Sequence, residues 1–303
     1  MSTGNRGPSG TNIVQPAWFK QAVATESETR VFSCDGATIS YRHWPNPGRP
    51  GVLLVHGHAA HAHWWDFIAP GLTGDYDVAA IDLSGYGESD HRHRYTARGF
   101  AREIIQSCET AGLQNPIVVG HSFGGAMTRV AAYLHPRSLA GIILIDSMIA
   151  FQRGDRKPPP MPKMKDRHYA TLESGMRRFR LRPPQPCENA YIIDYIAAHS
   201  LKRTPQGYQF RLDPAVFAKM PADEELPVAA DMVRQLNVPV GLIYGKKSRF
   251  FPPESIDRIA GLIEPALLTG IEAAHHHVFL DQPLQFIPAL QQMLSAIRER
   301  EHG

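Results

Sequence analysis

The stretch Pro116-Ile-Val-Val-Gly-His-Ser-Phe-Gly-Gly125 constrains this chain more than any other. An apolar run ends abruptly at Gly120-His121-Ser122-Phe123-Gly124, and a helix-like segment from Gly125 to Leu134 stops before Pro136. The pattern predicts strand, tight turn, helix, with a serine at the apex. Such a turn strains the serine backbone, and small residues on both sides let strand and helix pack closely. It also holds a hydroxyl out at the end of a sheet, which a purely structural serine does not need. Ser122 is therefore the candidate nucleophile.

The rest of the chain supplies the sheet. Alternation from Arg30 to Trp44 around Asp35-Gly36 predicts a two-stranded hairpin. Gly51 to Val55, Tyr76 to Ile81, Gly141 to Asp146 and Val238 to Gly245 are short, mostly apolar runs, as in strands buried on both faces. A further short strand is expected near Ala266 to Thr269. Helical spacing marks Trp64 to Leu72, Thr96 to Ala111 and a final amphipathic helix with Phe286, Leu290, Met293, Leu294 and Ile297 on one face. Strands alternating with helices predict an α/β fold, a mostly parallel, doubly wound sheet of about eight strands flanked by helices.

The alternation breaks after Asp146. Between residues 147 and 231 no buried-strand run occurs, and 11 of the 25 prolines fall there. That is too long for a connecting loop. It reads as a small helical cap inserted after the sixth strand, with helical patches at Tyr169 to Arg180 and Asn189 to Ser200. The core then comprises 26–146 and 232–303. Residues 1–25 open with a polar Gly/Ser/Thr segment that predicts disorder or an extended conformation, without the apolar stretch of a secretory signal.

Composition narrows the function class. A net charge of +3 over 303 residues gives no indication of nucleic-acid binding, and no apolar run is long enough to span a bilayer. Three cysteines without paired spacing suit a reduced, cytoplasmic protein. Between Arg153 and Arg182 ten Lys/Arg stand against three acids, a pattern that fits a solvated face or an attractor for an anionic substrate or acidic partner.

A serine hydroxyl is a poor nucleophile until a base takes its proton, and an acid usually orients that base. The base candidates lie in Ala274-His275-His276-His277-Val-Phe-Leu-Asp-Gln-Pro283, the loop before the last helix. Active residues in open parallel sheets gather at the carboxyl ends of strands, where this loop and Ser122 would meet. His275 to His277, and the group His56, His58, His61 and His63, also invite a metal reading. Both groups lack the acidic co-ligand expected at ligand spacing, so no metal is expected. The stretch Asp82-Leu-Ser-Gly-Tyr-Gly-Glu-Ser89 reads as a turn held by side-chain to backbone bonds.

Four motifs in order, Gly120 to Gly124, His56-Gly57 after a strand, Asp82 to Ser89, and the histidine segment ending at Pro283, give the chain its likeness. It resembles the α/β-hydrolase superfamily, and within it the capped, serine esterase-like branch. The resemblance covers nearly everything outside residues 147–231. It implies that the base stands seven positions before Pro283, at His276, rather than at His275 or His277. It implies an oxyanion hole from the backbone N–H groups of His58 and Phe123. The usual acid position falls on Ser248, which cannot carry charge. The alternative position in the superfamily is Asp146, with Glu254 a further candidate, and Ser248 then becomes a hydrogen-bonding helper. Trp64, Trp65, Phe250 and Phe251 near the motif loops are candidates for an apolar substrate pocket.

The implied activity is serine hydrolysis of a carboxylic ester, lactone or thioester through an acyl-enzyme, on a small-molecule substrate and without a cofactor. Three other readings share the fold: a carbon–carbon bond hydrolase of ring-cleavage products, a cofactor-free oxygenase and a non-catalytic binding protein. Serine rather than aspartate at position 122 argues against dehalogenase or epoxide hydrolase chemistry. Oligomeric state is not encoded in any motif.

Overall fold

The computed structural model describes residues 14–154, 167–221 and 225–300. The chain enters through helix α1 (Ala17–Val23), whose Phe19 is fully buried. That ring lies 5.6 Å from Phe67, 5.0 Å from Tyr191 and 5.6 Å from Tyr195. Disorder or extension was the sequence expectation over 1–25, yet residues 17–23 are helical. One aromatic anchor docks the turn into the core; residues 1–13 lie outside the described residues.

Strand β1 (Glu28–Cys34) pairs antiparallel with β2 (Ala37–Trp44), turning at Asp35-Gly36 where both residues have positive φ. Next come β3 (Pro50–Val55) and two 3₁₀ turns, Ala62–Trp65 and Ala69–Gly71. The spacing over Trp64 to Leu72 predicts one α-helix. Two short turns form instead, because Pro70 has no N–H to donate and Asp82 Oδ1 takes the Ala62 N–H at 2.6 Å. Strand β4 (Asp77–Ile81) leads to α2 (Ala97–Ala111). Thr96 caps α2 by accepting from Gly99 N–H at 2.9 Å, and Gly112 ends it at φ 72°. Then follow β5 (Gln114–His121), α3 (Phe123–Leu134) and β6 (Gly141–Ile145).

The long connection after β6 holds α4 (Leu172–Met176), α5 (Ala190–His199) and a hairpin of β7 (Leu201–Thr204) and β8 (Gly207–Phe210). The predicted helices are there, α4 much shorter than its patch. The hairpin is an addition that the sequence hides, since each strand is four residues long and, Leu201 aside, none of its residues is fully buried. Helix α6 (Ala229–Gln235) packs on α3, so the chain is back on the core slightly before residue 232. Strand β9 (Val240–Gly245), α7 (Pro253–Ile259), β10 (Leu268–Ile271), α8 (Val278–Asp281) and α9 (Pro283–Glu299) complete the chain. The apolar stripe of α9, from Phe286 to Ile297, is buried as its spacing predicts.

The main sheet has the order β1-β2-β4-β3-β5-β6-β9-β10. From β4 to β10 every neighbouring pair is parallel, and β2 alone runs against the rest, since β1, antiparallel to β2, points the same way as the others. The carboxyl ends of β3, β5, β6, β9 and β10 therefore share one edge, where the loops after each strand meet. Among the described residues no helix is long and apolar enough to cross a membrane.

Candidate active site

The site begins at the turn between β5 and α3. Ser122 adopts φ 53° and ψ −115°, a region that costs a non-glycine residue free energy. Its neighbours allow the turn. A Cβ on Gly120 would stand 2.4 Å from Thr128 Oγ1, and one on Gly124 would stand 2.2 Å from the His56 carbonyl oxygen. Strand, helix and the loop after β3 can meet only because those side chains are missing. Ser122 N–H donates to Ile145 O at 2.9 Å, and Ser147 Oγ donates to Ser122 O at 2.7 Å, holding the strained backbone from both sides.

One strand along, Asp146 sits at the end of β6, also at positive φ (44°). Its Oδ2 accepts from His276 Nδ1 at 3.0 Å and from Ser248 Oγ at 2.6 Å, while Oδ1 faces Gly245 N–H at 3.4 Å. A carboxylate only accepts, so the proton of the neutral His276 ring sits on Nδ1 and its Nε2 is left as the basic atom. Burial raises the Asp146 carboxyl well above its ordinary value, and the Ser248 hydroxyl and Gly245 N–H counter that rise. Burial pushes His276 down to about 3, so the ring is neutral near pH 7, the form a general base requires. Glu254 is exposed on α7.

The loop carrying His276 is held in place by several ties. A Cβ on Gly245 would meet the His275 carbonyl oxygen at 2.3 Å, so the loop rests directly on the end of β9. His121, the residue before the serine, donates Nε2–H to the His276 carbonyl at 3.1 Å. Asp281 Oδ2 accepts from His275 N–H at 2.7 Å, and Gln185 joins Asp281 Oδ1 at 2.9 Å to the His277 N–H at 2.9 Å. The sequence reading missed His121, Gln185 and Asp281 as positioning residues. His121 and Asp281 lay inside motifs that could have flagged them, whereas Gln185 did not.

The three histidines after β10 separate by partner. His275 faces Asp281, His276 faces Asp146, and His277 is buried against Trp64, with ring centroids 5.4 Å apart. Ligand atoms of His121, His276 and His277 lie within 4.8 Å of one another; His121 Nε2 and His276 Nδ1 are engaged, and among the described residues the second nitrogen of each of those two rings is not. The four histidines after β3 are dispersed. His56 Nδ1–H donates to Gly57 O at 2.7 Å and Nε2 accepts from Leu83 N–H at 3.1 Å. His58 meets Tyr86 Oη at 2.9 Å, His61 meets Ser200 Oγ at 2.8 Å and His63 meets Asp66 at 2.7 Å.

Gly57 brings this loop against the elbow: a Cβ there would lie 2.7 Å from His121 Nδ1 and 3.3 Å from Ser122 Cβ. His58 follows directly. Phe123, first residue of α3, has no intrahelical acceptor for its N–H. The Asp82 turn is structural as read: Oδ1 accepts from Ala62 N–H and Oδ2 from Glu88 N–H at 3.0 Å.

Two of the aromatic assignments need correction. Trp65 is wholly buried and stacks on Phe279 at 4.6 Å, and Trp64 is 2% exposed between Phe179, His277 and Phe279. Both are core under the histidine loop rather than pocket wall, because their bulk fills the space between that loop and the one after β3. Phe250 packs on the His276 ring at 4.7 Å, and with Phe251 it borders a cavity that also includes Ile149 and Phe151.

A family model described as alpha/beta hydrolase fold matches residues 50–283, which span every element of this site. The chain belongs to the alpha/beta hydrolase fold family. Among its family relatives, the uncharacterized hydrolase YugF of Bacillus subtilis is 24% identical over 264 residues, covering 85% of this chain and 94% of that one. A pimeloyl-[acyl-carrier protein] methyl ester esterase of Neisseria meningitidis is 24% identical over 260 residues, covering 83% and 79%. Of solved structures, the thioesterase domain from the curacin biosynthetic pathway superposes with a TM-score of 0.70 at 19% identity, covering 88% of this chain and 99% of that one. E-2-(acetamidomethylene)succinate hydrolase superposes with a TM-score of 0.72 at 18% identity, covering 89% and 100%.

Proposed function

We propose that this protein is a serine hydrolase that cleaves a carboxylic ester, lactone or thioester through an acyl-enzyme. The observation that carries the reading is the Asp146–His276 pair, with Nδ1 held at 3.0 Å from the carboxylate beside a serine at φ 53°. In the first half-reaction His276 Nε2 takes the Ser122 proton as Oγ attacks the carbonyl carbon. The N–H groups of His58 and Phe123 receive the charge that develops on the carbonyl oxygen. One such donor is worth roughly 3 kcal/mol of transition-state stabilisation. The imidazolium then gives its proton to the leaving group, and Asp146 stabilises the positive ring while this happens. Water repeats the cycle on the acyl-enzyme, with His276 again as base.

Ser248 supports the acid. Its hydroxyl fills the carboxylate lone pair that His276 does not use, which fixes the rotamer of Asp146. The 147–231 connection acts as the cap that walls the substrate, and substrate choice resides there. The esterase and thioesterase names among the similar proteins support ester-type chemistry in the same fold.

Hydrolysis of p-nitrophenyl esters of increasing chain length, with a lactone and a thioester beside them, tests the reading. Turnover by the wild type that disappears in Ser122→Ala is the expected result. Turnover that depends on dissolved oxygen, or none on any member of the panel, goes against it.

A further inference from the structure

A pocket borders the loop after β3, with Ala59, the residue after His58, as one of its walls. Phe179, Phe210 and Leu212 supply apolar surface, and four arginines surround them: Arg178, Arg180, Arg182 and Arg211. No acid lines it. The four cations are not equivalent. Arg211 is neutralised by Glu88 and donates to Leu201 O at 3.2 Å. Arg180 spends Nη1 on the carbonyls of Arg177 and Phe179, at 2.8 and 2.6 Å. Arg182 is half-buried, and among the described residues it has neither an acidic partner nor a hydrogen bond. Burial alone depresses its guanidinium from the ordinary value. It also lies close enough to His58 to help hold that imidazole neutral.

A guanidinium withdrawn from water without a counter-charge costs free energy that a bound anion would return. Its planar fork matches carboxylate and phosphate oxygens two at a time. We infer that the pocket is an anion subsite of the catalytic cleft, centred on Arg182, which selects substrates carrying a carboxylate or phosphate remote from the scissile carbonyl. The inference rests on the hydrolase reading above. Arg178, exposed at the rim, adds attraction without a fixed contact.

Two substrate pairs separate the sources of the anion. Mono-p-nitrophenyl glutarate against p-nitrophenyl butyrate places a carboxylate on the acyl chain. Butyryl-coenzyme A against butyryl-N-acetylcysteamine places phosphates on the leaving group. The expected result is a kcat/KM ratio of anionic to neutral substrate of at least ten in one pair, falling at least tenfold in Arg182→Ala and less in Arg182→Lys. Arg177→Ala, an exposed charge in the same segment that does not line this pocket, leaves the ratio unchanged. If Arg182→Ala melts well below the wild type, Arg182→Gln is read in its place. A wild-type ratio below ten in both pairs overturns the inference. So does an equal loss on both members of a pair, or the same fall in Arg177→Ala. Fluorophosphonate labelling of Ser122 with neutral-ester turnover keeps the hydrolase reading when this inference fails. Loss of both removes the two together.

Discussion

Two loops rich in histidine leave the same edge of the sheet. The one after β3 carries His56, His58, His61 and His63, and the one after β10 carries His275, His276 and His277. In the first, His56, His58 and His61 meet a backbone group or a neutral hydroxyl, and His63 shares Asp66 with Arg42 and Tyr195. In the second, His276 faces a buried carboxylate through one nitrogen and leaves the other nitrogen basic. Residue type and sheet position are alike in the two loops. A carboxylate on Nδ1 is shared by His63, His275 and His276; what singles out His276 is its place against the nucleophile turn, where His121 donates to its carbonyl. Asp146 supplies its carboxylate from the strand next to the elbow.

The comparison is broken most sharply by removing the groups on which only the second loop depends. Ser122→Ala and His276→Ala are expected to lower kcat by roughly 10⁴- to 10⁶-fold, measured on the best ester of the panel. Asp146→Asn keeps the shape but removes the charge and misorients the imidazole. A fall of about 10³- to 10⁴-fold is expected. Ser248→Ala removes one hydrogen bond to that carboxylate, and about a tenfold fall follows. His61→Ala, in the first loop, should leave kcat on a neutral ester within about threefold while lowering stability by about 1–3 kcal/mol in denaturant titration, since it takes from Ser200 Oγ one of its two partners. A loss of turnover by His61→Ala larger than that of Ser248→Ala would erase the distinction between the loops.

Acid separates stability from chemistry. His56 is pushed down to about 4 and His276 to about 3 by burial, and His61, His121 and His277 are lowered in the same direction. Each binds protons more readily when unfolded than when folded. Stability therefore falls as pH drops below about 6.5, by about 1 kcal/mol for each such group between pH 6.5 and 5.5. Activity is expected to hold until the protein unfolds, so kcat/KM and far-UV circular dichroism share one acid midpoint. An activity limb in a chain still folded would show that His276, or Asp146 whose carboxyl burial raises, takes a proton before the fold is lost.

Much of the frame was legible because apolar runs in a parallel sheet announce themselves, and because three site residues stand at strand ends or within short motifs. Asp146 could be singled out only because Ser248 occupies the commoner acid position. What stayed hidden is tertiary. The Gln185–Asp281 strap joins residues 96 apart, and no local pattern predicts such a bond. Hairpin β7–β8 has strands of only four residues, too short to show an alternating pattern. Trp64 and Trp65 lie beside a motif loop in sequence, yet their size makes them filler beneath it. Proximity in sequence to a functional loop does not decide which way a large ring points.

The most direct test is the rate at which a fluorophosphonate labels Ser122, followed by intact-protein mass spectrometry in the wild type and in Asp146→Asn. The account predicts a single covalent adduct at Ser122 in the wild type and labelling slowed by at least a hundredfold in the variant. Equal rates in the two proteins, or an adduct elsewhere, would contradict it.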